Sequence, residues 1–295
     1  MANLAPAQRF ARRELTGHSG DTLCLIQMDD RSFVRKQAGS PARAKRLALQ
    51  CEKLRHAHEH GIACPSVYRA GMSDGAFSFD MEFVPAESLA HSLMTGQDVD
   101  WKQLLLQLTA LLKLYQASSG NPIPDASFVA KLDNIAANCR TNVATAHELL
   151  RIHDVVSRLK AFGWNDVPRS ECHGDLTLEN ILLRQDGTAV FIDFDVPDQS
   201  SWWLDIAKLF QDLYGHWCLR DMVLSNPDRM AVLNAQLAMS RAASVIEPTL
   251  AGMVPGGMTR LRPLVAFHLL RTLPYAHSPL IVDYVLRRIA TILDG

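Results

Sequence analysis

The sequence predicts an α+β protein: a small N-terminal antiparallel sheet with one helix, followed by a larger, mainly helical region. Three observations carry that expectation. Short strand-like runs bounded by Gly and Asp turns fill residues 1–84, with a single helical stretch among them. Beyond Ser88 the apolar residues recur at helical spacing. Within that helical region one hairpin pattern stands alone, between Asn180 and Asp193. The chain therefore divides into residues 1–84 and 85–295.

Residues 1 to 37 read as strand, turn, strand, turn, strand. Gly17-His18-Ser19-Gly20-Asp21 is the first turn and Asp29-Asp30 the second, with Thr22 to Gln27 and Ser32 to Lys36 as strands. Pro41 to His60 is helical, with Pro in the first turn and Gly61 directly after the end. His56 and His60 share a face of that helix, but no Cys pair or His-Glu-x-x-His order accompanies them, so they read as solvated histidines near a helix C-terminus. Val67 to Ala70 and Ala76 to Phe83 are two further strands around Ser73-Asp74-Gly75.

After Ser88 the pattern changes period. Trp101 to Tyr115 is apolar at 101, 104, 105, 108, 111, 112 and 115, which predicts a helix buried along one wide face. Asn121 to Asp125 is a break, residues 126–163 hold one or two helices, and the region after Asp205 is helical with breaks at Asn226-Pro227, Pro248, Pro255-Gly256-Gly257 and Pro274. The sequence contains no internal repeat and no low-complexity segment.

Composition narrows the function. With 48% hydrophobic and 21% charged residues the chain is globular, and 30 basic against 31 acidic residues offer no footprint for nucleic acid or an anionic membrane. Six cysteines, at 24, 51, 64, 139, 172 and 218, are scattered and form no Cys-x-x-Cys pair, which predicts reduced thiols and a cytoplasmic setting. The N-terminal residues lack a signal-peptide core, and no run reaches the roughly 18 apolar residues of a membrane span. Secretion and membrane insertion are both disfavoured.

Chemistry concentrates between Glu171 and Asp212. Ile181-Leu182-Leu183 and Ala189 to Ile192, separated by Gln185-Asp186-Gly187-Thr188, read as a hairpin. Antiparallel pairing around that turn would bring Asn180 and Asp193 to the same end. An amide oxygen and a carboxylate placed together suit a hard cation such as Mg²⁺, bound alongside substrate phosphates. Asp175, on the loop just before, could hold a hydroxyl nucleophile there, which is the equipment of phosphoryl transfer. On β-strand alternation Arg35 and Lys36 point to opposite faces, and Lys36, sharing a face with Val34, is the better candidate for a phosphate-gripping cation.

The run His173-Gly174-Asp175-Leu176-Thr177-Leu178-Glu179-Asn180, followed by Ile192-Asp193-Phe194-Asp195, resembles the catalytic and metal-binding loops of the aminoglycoside phosphotransferase and choline kinase superfamily, small-molecule relatives of the protein kinases. The resemblance implies a protein-kinase-like two-lobe fold, ATP and Mg²⁺ as cofactors, and a small-molecule hydroxyl acceptor: an aminoglycoside, choline or ethanolamine, or a sugar or cell-envelope precursor. It implies that Asp175 is the catalytic base and that Asn180 and Asp193 are the metal ligands. Lys36 would grip the nucleotide phosphates, oriented by a helix glutamate for which Glu52 is the candidate and Gln50 the rival position. The turn at Ser19 and Gly20 would cover the phosphates, although Gly17 and Gly20 alone depart from the Gly-x-Gly-x-x-Gly of protein kinases. Backbone groups of Glu82 to Val84 would meet the adenine.

His173 is expected beneath the catalytic loop and Asp205 as its buried anchor. Asp195 is expected to add a contact near the metal or substrate, and His268, Arg271 and Tyr275 to line the acceptor side. Asp198, Asp212 and Asp221 are candidates for an anionic pocket that would suit a cationic acceptor. Two rival readings are a nucleotide-binding pseudokinase or regulatory protein of the same fold, and a metal-dependent phosphohydrolase using His173, Asp175, Asp193 and Asp195. The phosphohydrolase leaves the N-terminal strands without a role.

Overall fold

Alternating strand sequences fold the first part of the chain into one antiparallel sheet in the computed structural model, which describes residues 10–15, 20–28, 31–73, 76–139, 145–225 and 228–295. Strands β1 (Phe10–Leu15), β2 (Thr22–Met28), β3 (Arg31–Gln37), β4 (Val67–Ser73) and β5 (Ala76–Glu82) stand in the order β1-β2-β3-β5-β4. Helix α1 (Pro41–Glu59) lies between β3 and β4 in sequence and packs on β5. Its buried stripe is Leu47, Gln50, Cys51, Leu54 and Ala57, the i, i+3, i+4 pattern of a one-faced helix, with one polar residue in it.

Register in this sheet sends the two rival cations to opposite faces. Arg35 pairs with Asp80 across β3 and β5, and its guanidinium holds both carboxylate oxygens of Asp80 at 2.6 and 2.8 Å. Lys36, one residue on, turns to the opposite face, where it is 6% exposed.

The sheet ends at Glu82, and residues 83–86 lead into a second, three-stranded sheet and a helical mass. Strand β6 (Glu87–Ser88) pairs with β7 (Ile181–Leu183), which pairs with β8 (Ala189–Phe191). The helices are α2 (Leu89–Thr95), α3 (Trp101–Ala117), α4 (Asp125–Cys139), α5 (Ala146–Lys160), α6 (Trp202–Leu213), α7 (Arg220–Ser225), α8 (Arg229–Gly252), α9 (Met258–Leu270) and α10 (Pro279–Asp294). Their starts follow capping chemistry: Asp100 accepts from Gln103, Thr145 and Glu148 form a reciprocal capping box, and Asp228 and Ser278 cap α8 and α10. Trp164 and Phe128 stack at 4.7 Å under Phe267, joining α4 and α9 in the core.

Pro248 does not break the chain as its residue type predicts; it lies inside α8. Ile246, Leu250 and Ala251 around it are buried, and that packing carries the helix past the missing N–H.

Helix α6 is buried on nearly every side and packs against α9. This buried helix carries the acids that fix the site.

Candidate active site

The hairpin forms as its turn chemistry dictates. Arg184 N–H bonds to the Thr188 carbonyl at 2.9 Å, Asp186 caps Thr188 N–H at 2.9 Å, and Ile181 faces Phe191. The Ile192 N–H then donates to the Asn180 carbonyl at 3.0 Å, so Asn180 and Asp193 stand at the same end. Asp193 has φ +58°, left-handed backbone that Asp tolerates better than most residues and that gathers at functional sites.

Two aspartates of α6 anchor the loop before the hairpin. Asp205 accepts the His173 and Gly174 N–H groups at 2.5 and 2.8 Å, and Asp212 accepts those of Leu178 and Cys218 at 2.9 and 3.1 Å. Burial pushes both carboxyls up to about 7, against the pull of those backbone donors. Gly174 sits at φ +92°, and a Cβ there would lie 2.5 Å from the Asp195 carbonyl oxygen, so the loop can close onto the 195 segment only with glycine. His173 is fully buried against Phe194, and burial pulls its imidazole down to about 3. It stays neutral, with Nδ1 accepting the Asp175 N–H at 3.3 Å. Asp212, weighed in the sequence as a pocket acid, faces inward to this loop instead.

Asp175 is held from two sides. Asn180 Nδ2 donates to its carbonyl at 2.8 Å and to its Oδ2 at 3.0 Å, while Lys208 Nζ lies 3.2 Å from Oδ1. Sequence reasoning passed over Lys208; the available signal was the lone lysine of a largely apolar helix, one turn beyond Asp205.

Lys36 reaches this cluster from the sheet. Its Nζ is 2.6 Å from Asp193 Oδ1, and the Asp193 side chain is 47% exposed. Among the described residues no group of three or more His, Cys, Asp and Glu stands ready to hold a metal. The donors present fit Mg²⁺ all the same: an accessible Asp193 carboxylate, and an Asn180 amide whose nitrogen is engaged, so that its oxygen is the atom that would ligate.

One face of α1 clasps the site, and it is not the face expected. Glu52 is exposed and makes no ion pair with Lys36 among the described residues, which corrects its assignment as the orienting glutamate. Helix phase explains this: Leu47, Cys51 and Leu54 point into the core, so Arg46, Gln50 and Lys53 flank that stripe and Glu52 lies opposite. Gln50 donates to Asp195 Oδ1 at 2.7 Å, and Arg46 holds both oxygens of Asp195 at 3.1 and 2.6 Å. Lys53 bonds to the Asp195 carbonyl and lies 3.4 Å from that of His173. Burial would raise the Asp195 carboxyl, but Arg46 and Gln50 hold it below its ordinary value. Asp195 is thus bound to α1, beside the loop that carries Asp193.

Ser19 lies outside the described residues. Gly20 is exposed at φ +73° and its carbonyl packs on Gly39. Glu82 uses its N–H on the Ser66 carbonyl and its carboxylate on Arg184 at 2.6 Å, and the Val84 carbonyl accepts Ala86 N–H at 3.0 Å. Arg271, at the end of α9, shares a wall with Gly174, Pro197 and His268. Tyr275 is 85% exposed, Asp221 pairs with Arg220 at 3.5 Å, and Asp198 is exposed.

A sheet carrying a buried lysine, set over helices that present an anchored aspartate and an oxygen-bearing hairpin end, is the architecture of the kinase-like phosphotransferases. The family model described as the phosphotransferase enzyme family (APH) matches residues 13–238, and the chain belongs to that family. A thermostable mutant of aminoglycoside phosphotransferase APH(4)-Ia, in apo form, has a similar structure: TM-score 0.64, 13% identity, 96% of this chain and 94% of that one covered. Aminoglycoside-3'-phosphotransferase of type VIII gives 0.55 at 17%, over 95% and 94%. A putative fructosamine-3-kinase from Haemophilus somnus gives 0.55 at 14%, over 96% and 92%. At these identities the likeness is one of fold. No curated protein matches the sequence.

Proposed function

We propose that this small-molecule kinase transfers the γ-phosphate of ATP, with Mg²⁺, to a hydroxyl of its acceptor. The observation that carries the reading is the convergence of four side chains from two lobes: Lys36 Nζ 2.6 Å from Asp193, and Asn180 joined to Asp175 at 3.0 Å. A ternary complex of an APH(4)-Ia mutant with AMP-PNP and hygromycin B supports the nucleotide assignment by analogy of fold.

In this reading Asp175, steadied by Asn180 and Lys208, accepts the proton of the acceptor hydroxyl. The hydroxyl oxygen then bonds to the γ-phosphorus, the bridging P–O bond breaks, and ADP leaves with the electron pair. Lys36 grips phosphate oxygens, and Asn180 and Asp193 would hold the metal. Charge neutralisation at the phosphates is the chemistry Mg²⁺ supplies when bound. Because the acid that receives the proton and the groups that hold the phosphates are fixed in advance, positioning supplies most of the catalysis.

We place the enzyme in the cytoplasm, acting on small molecules and not on nucleic acid. All six cysteines are free, the net charge is −1, and no described helix is long and apolar enough to cross a membrane. A thermal-shift titration tests the core of the reading: Mg·ATP should raise the melting temperature, and ATP without Mg²⁺ should raise it less. Folded protein that neither binds Mg·ATP nor turns it over would refute the proposal.

A further inference from the structure

Two cations flank Asp175 on the side formed by the C-terminal helices. Lys208 Nζ lies 3.2 Å from Asp175 Oδ1, with its side chain 21% exposed. Arg271 is partly buried and has no ion-pair or hydrogen-bond partner among the described residues; the group recorded against its guanidinium is the Phe267 ring, 5.8 Å from the charge. Burial pulls its guanidinium down, and the charges of Asp175, Tyr275, Asp195 and Asp198 oppose that. His268 lies on α9 one turn before Arg271 and is 5% exposed. Burial first, and then the charges of Arg271 and Lys208, keep this imidazole neutral. Lys208 on α6 and Arg271 at the end of α9, two helices that pack together, are the charged members of this patch.

Asp175 is shared between Lys208 and Asn180, and the other acids that could balance the patch are occupied or turned away. Asp195 is held by Arg46 and Gln50, Asp212 faces the loop backbone, and Asp221 pairs with Arg220. Asp198 alone is exposed on this side. A partly desolvated guanidinium that no carboxylate grips by hydrogen bonds is unfavourable in the free protein. Such a group is set up for a ligand, and its planar fork matches a carboxylate or a phosphate bidentately. A cationic acceptor, in contrast, would approach Asp175 past two like charges.

We infer that the acceptor carries an oxyanion, a carboxylate or a phosphate, beside the hydroxyl it offers to Asp175, and that Arg271 and Lys208 receive that anion. This inference rests on the phosphotransferase reading and names its substrate class. Lys208 thereby has two neighbours in the complex, the Asp175 carboxylate and the acceptor anion, and links acceptor binding to the placement of the base.

The test is calorimetric titration of the full chain, first with Mg·ADP and then, at saturating Mg·ADP, with glycerate, glycerol 3-phosphate and ethanolamine. At least one anion should bind the parent protein while ethanolamine does not, and the two anions separate carboxylate from phosphate recognition. Arg271→Gln should weaken the anion about 10- to 100-fold, the range for a lost hydrogen bond to a charged group, and Arg271→Lys should recover part of it. Melting temperatures of the unliganded variants monitor folding; if Arg271→Gln fails to fold, the Arg271→Lys variant and the anion-against-amine comparison still decide. The inference is overturned if neither anion binds, if ethanolamine binds in their place, or if Arg271→Gln binds the anion as well as the parent. It is also overturned if Arg271→Gln weakens Mg·ADP instead, since the cation would then serve the nucleotide. Failure of Mg·ADP to bind the parent protein is a separate result and removes the phosphotransferase reading itself.

Discussion

Lys36 Nζ lies 2.6 Å from Asp193 Oδ1 across 157 residues of sequence, and this pair joins the sheet to the end of the hairpin. Its neighbour Arg35 is spent on Asp80, on the other face of the same strand. The two adjacent cations therefore make opposite predictions. Lys36→Ala should lower kcat/KM for ATP by about 10² to 10³, as for loss of one preorganised charge-stabilising donor. Arg35→Ala should leave kcat/KM for ATP close to that of the parent. Steady-state kinetics at varied ATP decides between them, and equal losses in both variants would overturn the face assignment.

Asp175→Ala removes the proposed proton acceptor and leaves Lys36, Asn180 and Asp193 in place. Turnover should fall by roughly 10² to 10⁴. Mg·ATP affinity should stay near that of the parent. Single-turnover kinetics beside a binding titration separates the two quantities, and undiminished turnover would rule out Asp175 as the base.

Asp193→Ala acts on the other half of the site. Without its carboxylate, Asn180 is the one proposed metal ligand left, and Mg²⁺ held by so few protein oxygens depends on them strongly. The Mg²⁺-dependent part of nucleotide affinity should disappear, while binding of metal-free ATP changes little. A variant whose ATP affinity still rises with Mg²⁺ as in the parent would remove Asp193 from the ligand set.

How much of this was legible in the sequence follows from how local each feature is. The hairpin was legible because an Asp-Gly turn between two apolar runs fixes its own register, and with it the shared end of Asn180 and Asp193. The opposite facing of Arg35 and Lys36 was legible because strand alternation has an exact period of two. Helix α1 was misread at Glu52, because it is the nearest glutamate to the position the spacing from Gly61 marks, which Gln50 occupies, and the helix's own apolar stripe at 47, 51, 54 and 57 turns Glu52 away. Lys208 and the loop-anchoring role of Asp212 stayed hidden for another reason: α6 is buried nearly all round, so periodicity cannot say which side meets the catalytic loop.

The clasp of α1 gives a prediction that the family expectation would reverse. Gln50→Glu creates the glutamate that a kinase-like template places on this helix. In this protein it would set a second carboxylate where Gln50 Nε2 now lies 2.7 Å from Asp195, with Arg46 as the shared counter-charge. Like charges placed together disfavour ionisation of one of them. The variant should melt below the parent at neutral pH and recover as pH is lowered and one carboxyl is protonated. A melting temperature above the parent's at neutral pH would mean that the new glutamate has found Lys36 instead.

Asp212 links the stability of the loop to pH. Its carboxyl is pushed up to about 7 by burial, with Leu178 N–H opposing that rise, Glu179 adding to it and Lys208 opposing it. In the unfolded chain the group titrates near its ordinary value of 3.8. Between those values the folded state binds the extra proton, so this residue's contribution to stability declines as pH rises from about 4 to about 7 and is level above that. The buried histidines act in the opposite sense: His173 is pulled down to about 3 and His216 to about 4, so each favours folding more as pH rises toward 6.5. Comparison of Asp212→Asn with the parent isolates the aspartate. The variant loses an acceptor for Leu178 or Cys218 and should be less stable by about 1–3 kcal/mol near pH 5, where the parent carboxyl is protonated and uncharged. That deficit should shrink toward pH 7.5, because the parent bears the burden of a buried charge and the amide does not. Urea unfolding at a series of pH values measures it, and a deficit constant from pH 5 to 7.5 would show that Asp212 titrates alike in the folded and unfolded chain.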